Sequence, residues 1–226
     1  MTNTSHTIAW PDAGREAAFN AWLAPLTQSQ RLDPGTLAPA SADASFRRYF
    51  RIRDTAGTTR IVMDAPPPLE DVRPFIHVAG LIAQAGLHAP KVLAADTDQG
   101  FVLLDDLGDT LYLQVLQQGD TVQADRLMRD AIQALVQWQL RVDASSLPPY
   151  DEALLRRDLS LFPEWCVQRE YGVTWTAAQQ GHWERVSDLL VKSALEQPTV
   201  AVHRDWMPRN LMVSDPNPGI LDFQDA

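Results

Sequence analysis

Two strand–turn–strand patterns in the first half of the chain constrain its fold most strongly. In the first, Tyr49, Arg51 and Arg53 alternate with Phe50 and Ile52, which is the period of a half-buried strand. The turn TAG then leads into TTRIVMD, and KVLAAD leads through TDQG into FVLLDD in the same way. Strand-like runs joined by short turns of this kind predict antiparallel hairpins, so we expect an antiparallel sheet in this half.

Helical patterns precede, interrupt and follow these hairpins. Residues 12–26 repeat apolar side chains at helical spacing, and LEDVRPFIHVAGLIAQAG predicts a helix that ends at Gly86. The Pro/Gly-containing stretch LDPGTLAPA separates the first helix from the first hairpin. Beyond a hinge near 105–109 the chain is rich in Leu, Ala, Gln and Trp, and the mainly helical ranges are 109–143, 151–171 and 176–197. Three short strand-like pieces follow, TVAVHRD, LMVSD and GILDF.

Composition excludes several classes of protein. A net charge of -10 argues against a general nucleic-acid binder, which needs a basic face. The single cysteine, Cys166, rules out an internal disulfide. No secretory signal or membrane-spanning run is present, so a cytoplasmic protein without membrane or nucleic-acid partners is expected. The sequence also lacks the glycine-rich nucleotide motifs, H-E-x-x-H and G-x-S-x-G.

The stretch HRDWMPRN, followed by GILDF, carries the chemistry that the sequence suggests. If LMVS pairs with GILD across the turn SDPNPG, Asp222 returns close to Asn210 and converges with Asp205 on one pocket. Hard oxygen ligands of this kind suit Mg²⁺, and a further carboxylate can accept a proton from an attacking hydroxyl. Alone, His203 is more typical of a core or turn histidine, and Asp222 and Asn210 are typical of a strand cap and a turn. Taken together, their spacing favours phosphoryl transfer.

These motifs resemble those of the aminoglycoside phosphotransferase and choline kinase superfamily, a branch of the protein-kinase-like fold. The closer resemblance is to bacterial kinases that phosphorylate N-acetylmuramate and N-acetylglucosamine on the anomeric hydroxyl. The stretches that carry it are ASFRRYFR, IVMDAPP, FVLLDDLGD, LFPEWCVQREYG, HRDWMPRNLMV and GILDFQDA. The resemblance covers most of residues 40–226.

The resemblance implies an α+β, protein-kinase-like bilobal fold with an antiparallel sheet lobe over 1–104 and a helical lobe over 105–226. It also implies an ATP-dependent sugar kinase of cell-wall recycling with Mg²⁺ as cofactor. The implied roles are a catalytic base for Asp205, a loop brace for His203, Mg²⁺ ligands for Asn210 and Asp222, and backbone contacts to adenine for Asp105 and Leu107. Without the downstream motifs, LLDDLGD is an ordinary strand-to-helix turn.

The sequence departs from the protein-kinase pattern on the third strand, where TRIVMDAPP has no lysine for the phosphates. Only Lys91 and Lys192 are lysines, and neither belongs to that strand. Arginine can grip two phosphate oxygens at once. We therefore expect Arg47 or Arg48 to reach the phosphates, with Ser45 at the loop tip and Tyr49 near the adenine. The alternative is that the arginines of SFRRYFRIR form a solvated strand face.

On the acceptor side, the resemblance implies that LFPEWCVQREYG lines the sugar site. Trp165 is then expected to stack on a pyranose and Glu164 to accept hydrogen bonds from its hydroxyls. The alternative places Trp165 and Phe162 in a helix core. Arg209 is expected to meet the carboxylate of N-acetylmuramate.

Two other functions stay open for the whole protein: another small-molecule hydroxyl kinase of the aminoglycoside or amino-alcohol type, and a non-catalytic nucleotide-binding remnant. Family members continue well past the metal aspartate. We therefore expect a truncated helical lobe here, poor catalysis by the chain as given, and a monomer at full length.

Overall fold

The computed structural model describes residues 8–42 and 46–226 of the chain. Its helices are α1 (Ala13–Ser29), α2 (Arg73–Gln84), α3 (Tyr112–Leu116), α4 (Thr121–Arg141), α5 (Glu152–Leu161) and α6 (Ala177–Leu195). A 3₁₀ turn covers Ala144–Ser146, and a π-helical stretch over Phe162–Glu170 continues α5. The strands are β1 (Leu32–Ala42), β2 (Arg48–Asp54), β3 (Thr59–Asp64), β4 (Val92–Asp96), β5 (Phe101–Asp105), β6 (Leu211–Met212) and β7 (Gly219–Ile220).

The first five strands form one antiparallel sheet in the order β1-β2-β3-β5-β4. Both hairpins expected from the sequence are confirmed, β2 with β3 and β4 with β5. The central register aligns Arg51 with Ile61 and Ile61 with Leu104, and it aligns Phe50 with Val62 and Val62 with Leu103. Because side chains alternate along a strand, these two rows lie on opposite faces of the sheet.

One face of the sheet carries the aromatic core. Phe19 of α1 is fully buried and lies 5.6 Å, centroid to centroid, from both Phe50 and Phe101. Trp10 and Trp22 flank this group at 4.9 and 6.4 Å from Phe19. The helix begins where Asp12 caps it, since the Asp12 carboxylate accepts a hydrogen bond from Arg15 N at 2.8 Å. The core therefore fixes α1 on one face and leaves the other face free to form a site.

Two segments differ from the sequence expectations. LDPGTLAPA, which we treated as a connecting stretch, belongs to β1, whose register with β2 shifts between Asp33 and Ala38 and again between Pro39 and Ser41. A strand with prolines is tolerated there because β1 is an edge strand. TVAVHRD was expected to be strand-like and is not. Arg204 adopts a φ of 71°, which no strand accommodates.

The chain divides into two compact units. The first comprises residues up to Arg141 together with His203–Ala226, and the second is Val142–Val202. The sequence analysis placed a boundary between two lobes at residues 104 and 105. That lobe boundary is distinct from this division into units, and it stays a prediction. None of the described helices is both long and apolar enough to cross a membrane.

Candidate active site

The β6–β7 hairpin brings Asn210 and Asp222 together. Leu211 pairs with Ile220 and Met212 with Gly219, so the expected pairing of these two segments is confirmed. The amide Nδ2 of Asn210 donates to Asp222 Oδ2 at 3.2 Å and to the backbone oxygen of Asp205 at 3.0 Å. Asp222 also has a φ of 57°, a left-handed conformation that aspartate tolerates better than branched residues and that often marks a functional constraint.

Both edges of the hairpin are tied to the rest of the first unit. On the β6 side, Val213 N donates to Thr110 O at 2.9 Å. On the β7 side, Ile220 N donates to His88 O at 2.7 Å. Gly219 lies at a close approach, because a Cβ there would lie 2.9 Å from Leu107 Cδ1 and 3.0 Å from Ser214 Oγ. The hairpin is therefore seated directly against the segment that follows β5.

Asp205 and His203 occupy the loop of residues 203–210. The Asp205 carboxylate is half-buried and accepts no hydrogen bond from any described residue, which leaves both oxygens available to a substrate. His203 is 2% exposed, and neither of its ring nitrogens has a hydrogen-bond partner of good geometry among the described residues. Burial lowers the pKa of His203, although the Leu221 backbone and the Asp222 and Asp205 carboxylates act in the opposite direction. Its ring packs edge-on against Trp206, with the ring centroids 5.1 Å apart.

A cavity of about 390 Å³ opens beside Asn210 and Asp222, within the first unit. This volume suits a small-molecule ligand. Its walls come from the sheet face opposite α1, from the segment after β5, and from the hairpin. The apolar part of the lining includes Ile61, Phe75, Leu104, Met212 and Leu221. Apolar side chains on two sides of a cavity suit a planar ring.

Asp105 and Leu107, the two positions expected to contact adenine, both line this cavity. Asp105 is the last residue of β5 and is held by Lys91, whose backbone N donates to Asp105 Oδ1 at 2.5 Å. Leu107 follows the strand, and its backbone N–H donates to no described residue. An unpaired backbone donor on an apolar cavity is a ready partner for a ring nitrogen. Its role as an adenine contact stays a prediction.

The arginines expected at the phosphates are not brought to the cavity. Arg48 lies on the α1 face of the sheet, where it pairs with the buried Asp64 and donates to Ala9 O at 2.9 Å. Arg47 lies 3.7 Å from Glu70, measured from its Nε to Oε2, and is not a lining residue. Tyr49 does line the cavity, and Ser45 lies outside the described residues. For Arg48, strand alternation explains the difference from Tyr49, because the two side chains must point to opposite faces.

Arg51 is the β2 arginine that the sequence analysis underrated. It lines the cavity and forms a two-pronged contact with Asp106, with Nε 2.6 Å from Oδ2 and Nη2 3.1 Å from Oδ1. Arg51 also contacts Asp109 and donates to Gly108 O at 3.1 Å. The signal for Arg51 was present in the sequence, because it stands two residues from Tyr49 on the same strand and therefore on the same face.

The residues present fit a magnesium ion in part. Asn210 has its amide nitrogen engaged by Asp205 and Asp222, so its Oδ1 is the atom left for a cation. Asp222 adds a carboxylate, and Gln224 Nε2 fixes its Oδ1 at 2.9 Å. Among the described residues no group of three or more His, Cys, Asp or Glu side chains could hold a metal. Two protein oxygens with the remainder from water and phosphate is the usual arrangement for Mg²⁺.

The residues expected at the acceptor fall in both units. Arg209 lines the cavity of the first unit. Glu164 lines a groove of about 800 Å³ in the second unit, together with Trp175 and Trp183. Trp165 is 54% exposed and stacks under Arg169 at 3.9 Å, so the alternative that made it a core residue is wrong. The contacts of these residues with a sugar stay predictions.

Sequence comparison finds curated relatives along most of the chain. It is 56% identical over 193 residues to an N-acetylmuramate/N-acetylglucosamine kinase of Pseudomonas aeruginosa, which covers 85% of this chain and 56% of the relative. It is 41% identical over 214 residues to a protein of the same name from Neisseria meningitidis, covering 94% of this chain and 62% of the relative. The chain thus spans somewhat more than half the length of the curated relatives it matches.

Solved structures with a similar fold include aminoglycoside phosphotransferases. APH(2'')-Ib with bound ADP superposes with a TM-score of 0.64 at 15% identity, over 95% of this chain and 71% of that one. The streptomycin–ATP complex of APH(2'')-IIa gives 0.61 at 16% identity, over 96% and 72%. At such low identity this likeness shows the fold alone. It confirms the expected α+β, protein-kinase-like architecture.

The match to a family profile settles the membership. The profile of the phosphotransferase enzyme family covers residues 36–226, which include every strand from β2 onward, the cavity, and the hairpin with Asn210 and Asp222. The earlier resemblance rested on the same loop and hairpin, and the described geometry brings their polar side chains together. The chain therefore belongs to the phosphotransferase enzyme family.

Proposed function

We propose that the protein is an ATP-dependent kinase that phosphorylates the anomeric hydroxyl of N-acetylmuramate and N-acetylglucosamine. The observation that carries this proposal is the contact between Asn210 and Asp222, 3.2 Å apart beside the cavity. The names of the relatives, kinases of these two sugars at 56% and 41% identity, support the acceptor class.

In this mechanism Asp205 is the general base. Its carboxylate has no hydrogen-bond partner among the described residues, so it is available to orient the sugar hydroxyl and accept its proton as the oxygen attacks phosphorus. The Asn210 amide holds the Asp205 backbone at 3.0 Å and so keeps the base in register with the hairpin. His203 packs beneath the loop and acts through its position.

Binding of the nucleotide is assigned to the cavity. The adenine lies between the apolar side chains of the sheet face and those of the hairpin, with its ring edge toward the backbone of Asp105 and Leu107. Asn210 and Asp222 would hold Mg²⁺, which when bound neutralises charge on the phosphates. This placement puts the reacting phosphate at the end of the cavity nearest the loop of residues 203–210.

The test is phosphate transfer to a panel of acceptors. The full-length protein is incubated with ATP, Mg²⁺ and either N-acetylmuramate, N-acetylglucosamine, an aminoglycoside or an amino alcohol. ADP release and phosphorus NMR of the product are then recorded. We expect turnover with the two amino sugars and a phosphate on the anomeric carbon. Turnover with the aminoglycoside or the amino alcohol in place of the sugars would overturn the assignment of the acceptor.

Asp205→Asn tests the assignment of the base. Loss of a general base reduces turnover by about 10²–10⁴-fold. We expect a loss of this size, with the dissociation constant for ADP unchanged, because the substitution keeps the shape of the side chain and removes its basicity. Asp215→Asn, an exposed site in the hairpin turn, is the matched control and should keep wild-type turnover. Equal activity of the two variants would exclude Asp205 as the base.

A further inference from the structure

The inference concerns Arg51, a charged side chain that reaches from β2 across the cavity face of the sheet. Its guanidinium holds Asp106 with two hydrogen bonds, at 2.6 and 3.1 Å. The same group donates to the backbone oxygen of Gly108 at 3.1 Å and contacts the Asp109 carboxylate. One arginine therefore binds three of the four residues that immediately follow β5.

The Asp106 side of this contact is shielded from solvent. The Asp106 side chain is 3% exposed, and its Oδ1 also accepts from Gly108 N at 3.0 Å. Burial would raise the pKa of Asp106, but the hydrogen bonds of Arg51, Thr59 and Gly108 outweigh it, so the pKa is lowered. Both partners therefore stay charged at neutral pH. A two-pronged arginine–carboxylate pair of this kind fixes direction as well as distance.

Leu107 lies between the two residues that this arginine holds. Its backbone N–H donates to no described residue, and the residue lines the cavity. The flanking Asp106 carboxylate and Gly108 carbonyl are both bound by Arg51. Both chain neighbours of Leu107 are thus held by one side chain. Fixing a hydrogen-bond donor before a ligand arrives raises affinity, because the ordering cost is already met in the free protein.

We propose that Arg51 is a positioning residue for the nucleobase. It holds the segment after β5 so that the Leu107 N–H faces the base, and it contributes to affinity for adenosine without contacting the phosphates. This inference rests on the proposed function, since it requires an adenine nucleotide in this cavity. Arg51, the arginine of β2 that faces the cavity, thus acts on binding of the base. The sequence analysis had expected Arg47 or Arg48 to contact the phosphates.

Calorimetric titration of the 226-residue chain tests the proposal with three probes: ADP, adenosine and inorganic triphosphate. Arg51→Met is compared with Arg53→Met, an exposed arginine of the same strand that does not line the cavity. We expect Arg51→Met to lower the affinity for ADP and for adenosine by about 10-fold, the effect of losing one charge-assisted hydrogen bond. Triphosphate should bind as it does to wild type, and Arg53→Met should change none of the three.

A comparison with Asp106→Asn separates positioning from a general loss of stability. If Arg51 acts through Asp106, Asp106→Asn lowers the affinity for adenosine by a similar factor. The double variant should then lose no more affinity than the single variant with the larger loss. A variant that only loosened the fold would lower the melting temperature and weaken triphosphate together with adenosine. That result would overturn the proposal, as would purely additive effects.

The outcomes distinguish this inference from the function on which it rests. Wild-type protein that binds neither ADP nor adenosine would contradict the proposed function itself. Wild-type binding that Arg51→Met leaves unchanged would contradict only the role of Arg51. Should Arg51→Met fail to fold, Arg51→Lys keeps the charge and loses the two-pronged contact. This variant should bind adenosine more weakly and triphosphate as tightly as wild type does. Wild-type affinity for adenosine in that variant would overturn the proposal.

Discussion

Arg209 is a cation with no ion-pair or hydrogen-bond partner among the described residues, and it lines the cavity next to Asn210. The other described cation of the lining, Arg51, is bound to two carboxylates. An exposed guanidinium at the mouth of a site is suited to an acidic ligand group. Of the two proposed acceptors, N-acetylmuramate carries a carboxylate and N-acetylglucosamine does not. Arg209 is therefore our candidate for distinguishing them.

Arg209→Ala should raise the Michaelis constant for N-acetylmuramate by about 10-fold or more, because a hydrogen bond to a charged group contributes roughly 1.5–3 kcal/mol. The constant for N-acetylglucosamine should stay within a factor of two or so by the same argument. Steady-state kinetics with each sugar at saturating ATP measures both. An equal loss for the two sugars, with a raised constant for ATP, would place Arg209 at the phosphates.

At the scale of residues, the sequence predicted that Asn210 and Asp222 lie close together. Asn210 and Asp222 were brought together by a turn whose pairing could be read from LMVS and GILD. The expectation for Arg48 weighed its charge without the parity of the strand, which turns its side chain away from the cavity. On that face Arg48 pairs with the buried Asp64, which lies directly opposite it on β3.

At the scale of elements, the β6–β7 hairpin is fixed through its turn. Asn217 Nδ2 donates to Tyr112 Oη at 2.8 Å and to Asp130 Oδ2 at 2.7 Å, so the turn is tied to α3 and α4. Tyr112 is fully buried. Burial raises the pKa of Tyr112 to about 12, while the Asn217 hydrogen bond acts against this and the Asp130 carboxylate adds to it.

Tyr112 should make the folded protein sensitive to alkali. The unfolded chain loses this proton near pH 10 and the folded chain only near pH 12. Between these values the unfolded state binds fewer protons, so the free energy of unfolding falls as the pH rises. Tyr112→Phe should show a smaller fall than wild type between pH 9 and pH 11 in urea unfolding followed by circular dichroism. Tyr171→Phe, at a 72% exposed position, is the control and should follow wild type.

The elements themselves were largely predictable, and the two misjudged ones share a cause. The sequence of β1 contains Pro34, Gly35 and Pro39, which disfavour a strand by local preference, and only its place at the sheet edge makes it possible. TVAVHRD has strand composition and no ladder partner among the described residues. In both cases the position in the sheet, which is tertiary information, overrides the local pattern.

At the scale of the whole molecule, the buried ion pairs of Asp64 hold the first unit together. Asp64 is fully buried and binds Arg48 of β2 and Arg15 of α1, whose Nε lies 2.9 Å from Oδ1. Arg15 also stacks 3.9 Å over the Phe101 ring, and Arg48 lies 4.5 Å over Trp10. One carboxylate thus joins the first helix, two strands and the aromatic core. Removing it would leave the charges of Arg15 and Arg48 without a partner in a buried site.

Asp64→Ala should therefore destabilise the first unit by roughly 3–5 kcal/mol, the cost of breaking a buried ion pair. Hydrogen exchange read by mass spectrometry should show faster exchange in α1 and in β1 to β5. Peptides from Val142–Val202 should keep their rate, because that segment is a separate compact unit. Asp125→Ala, which breaks an exposed pair with Arg129, should leave both patterns unchanged. Faster exchange throughout Val142–Val202 in Asp64→Ala would instead mean that the two units unfold as one cooperative body, and that α1 stabilises the entire chain.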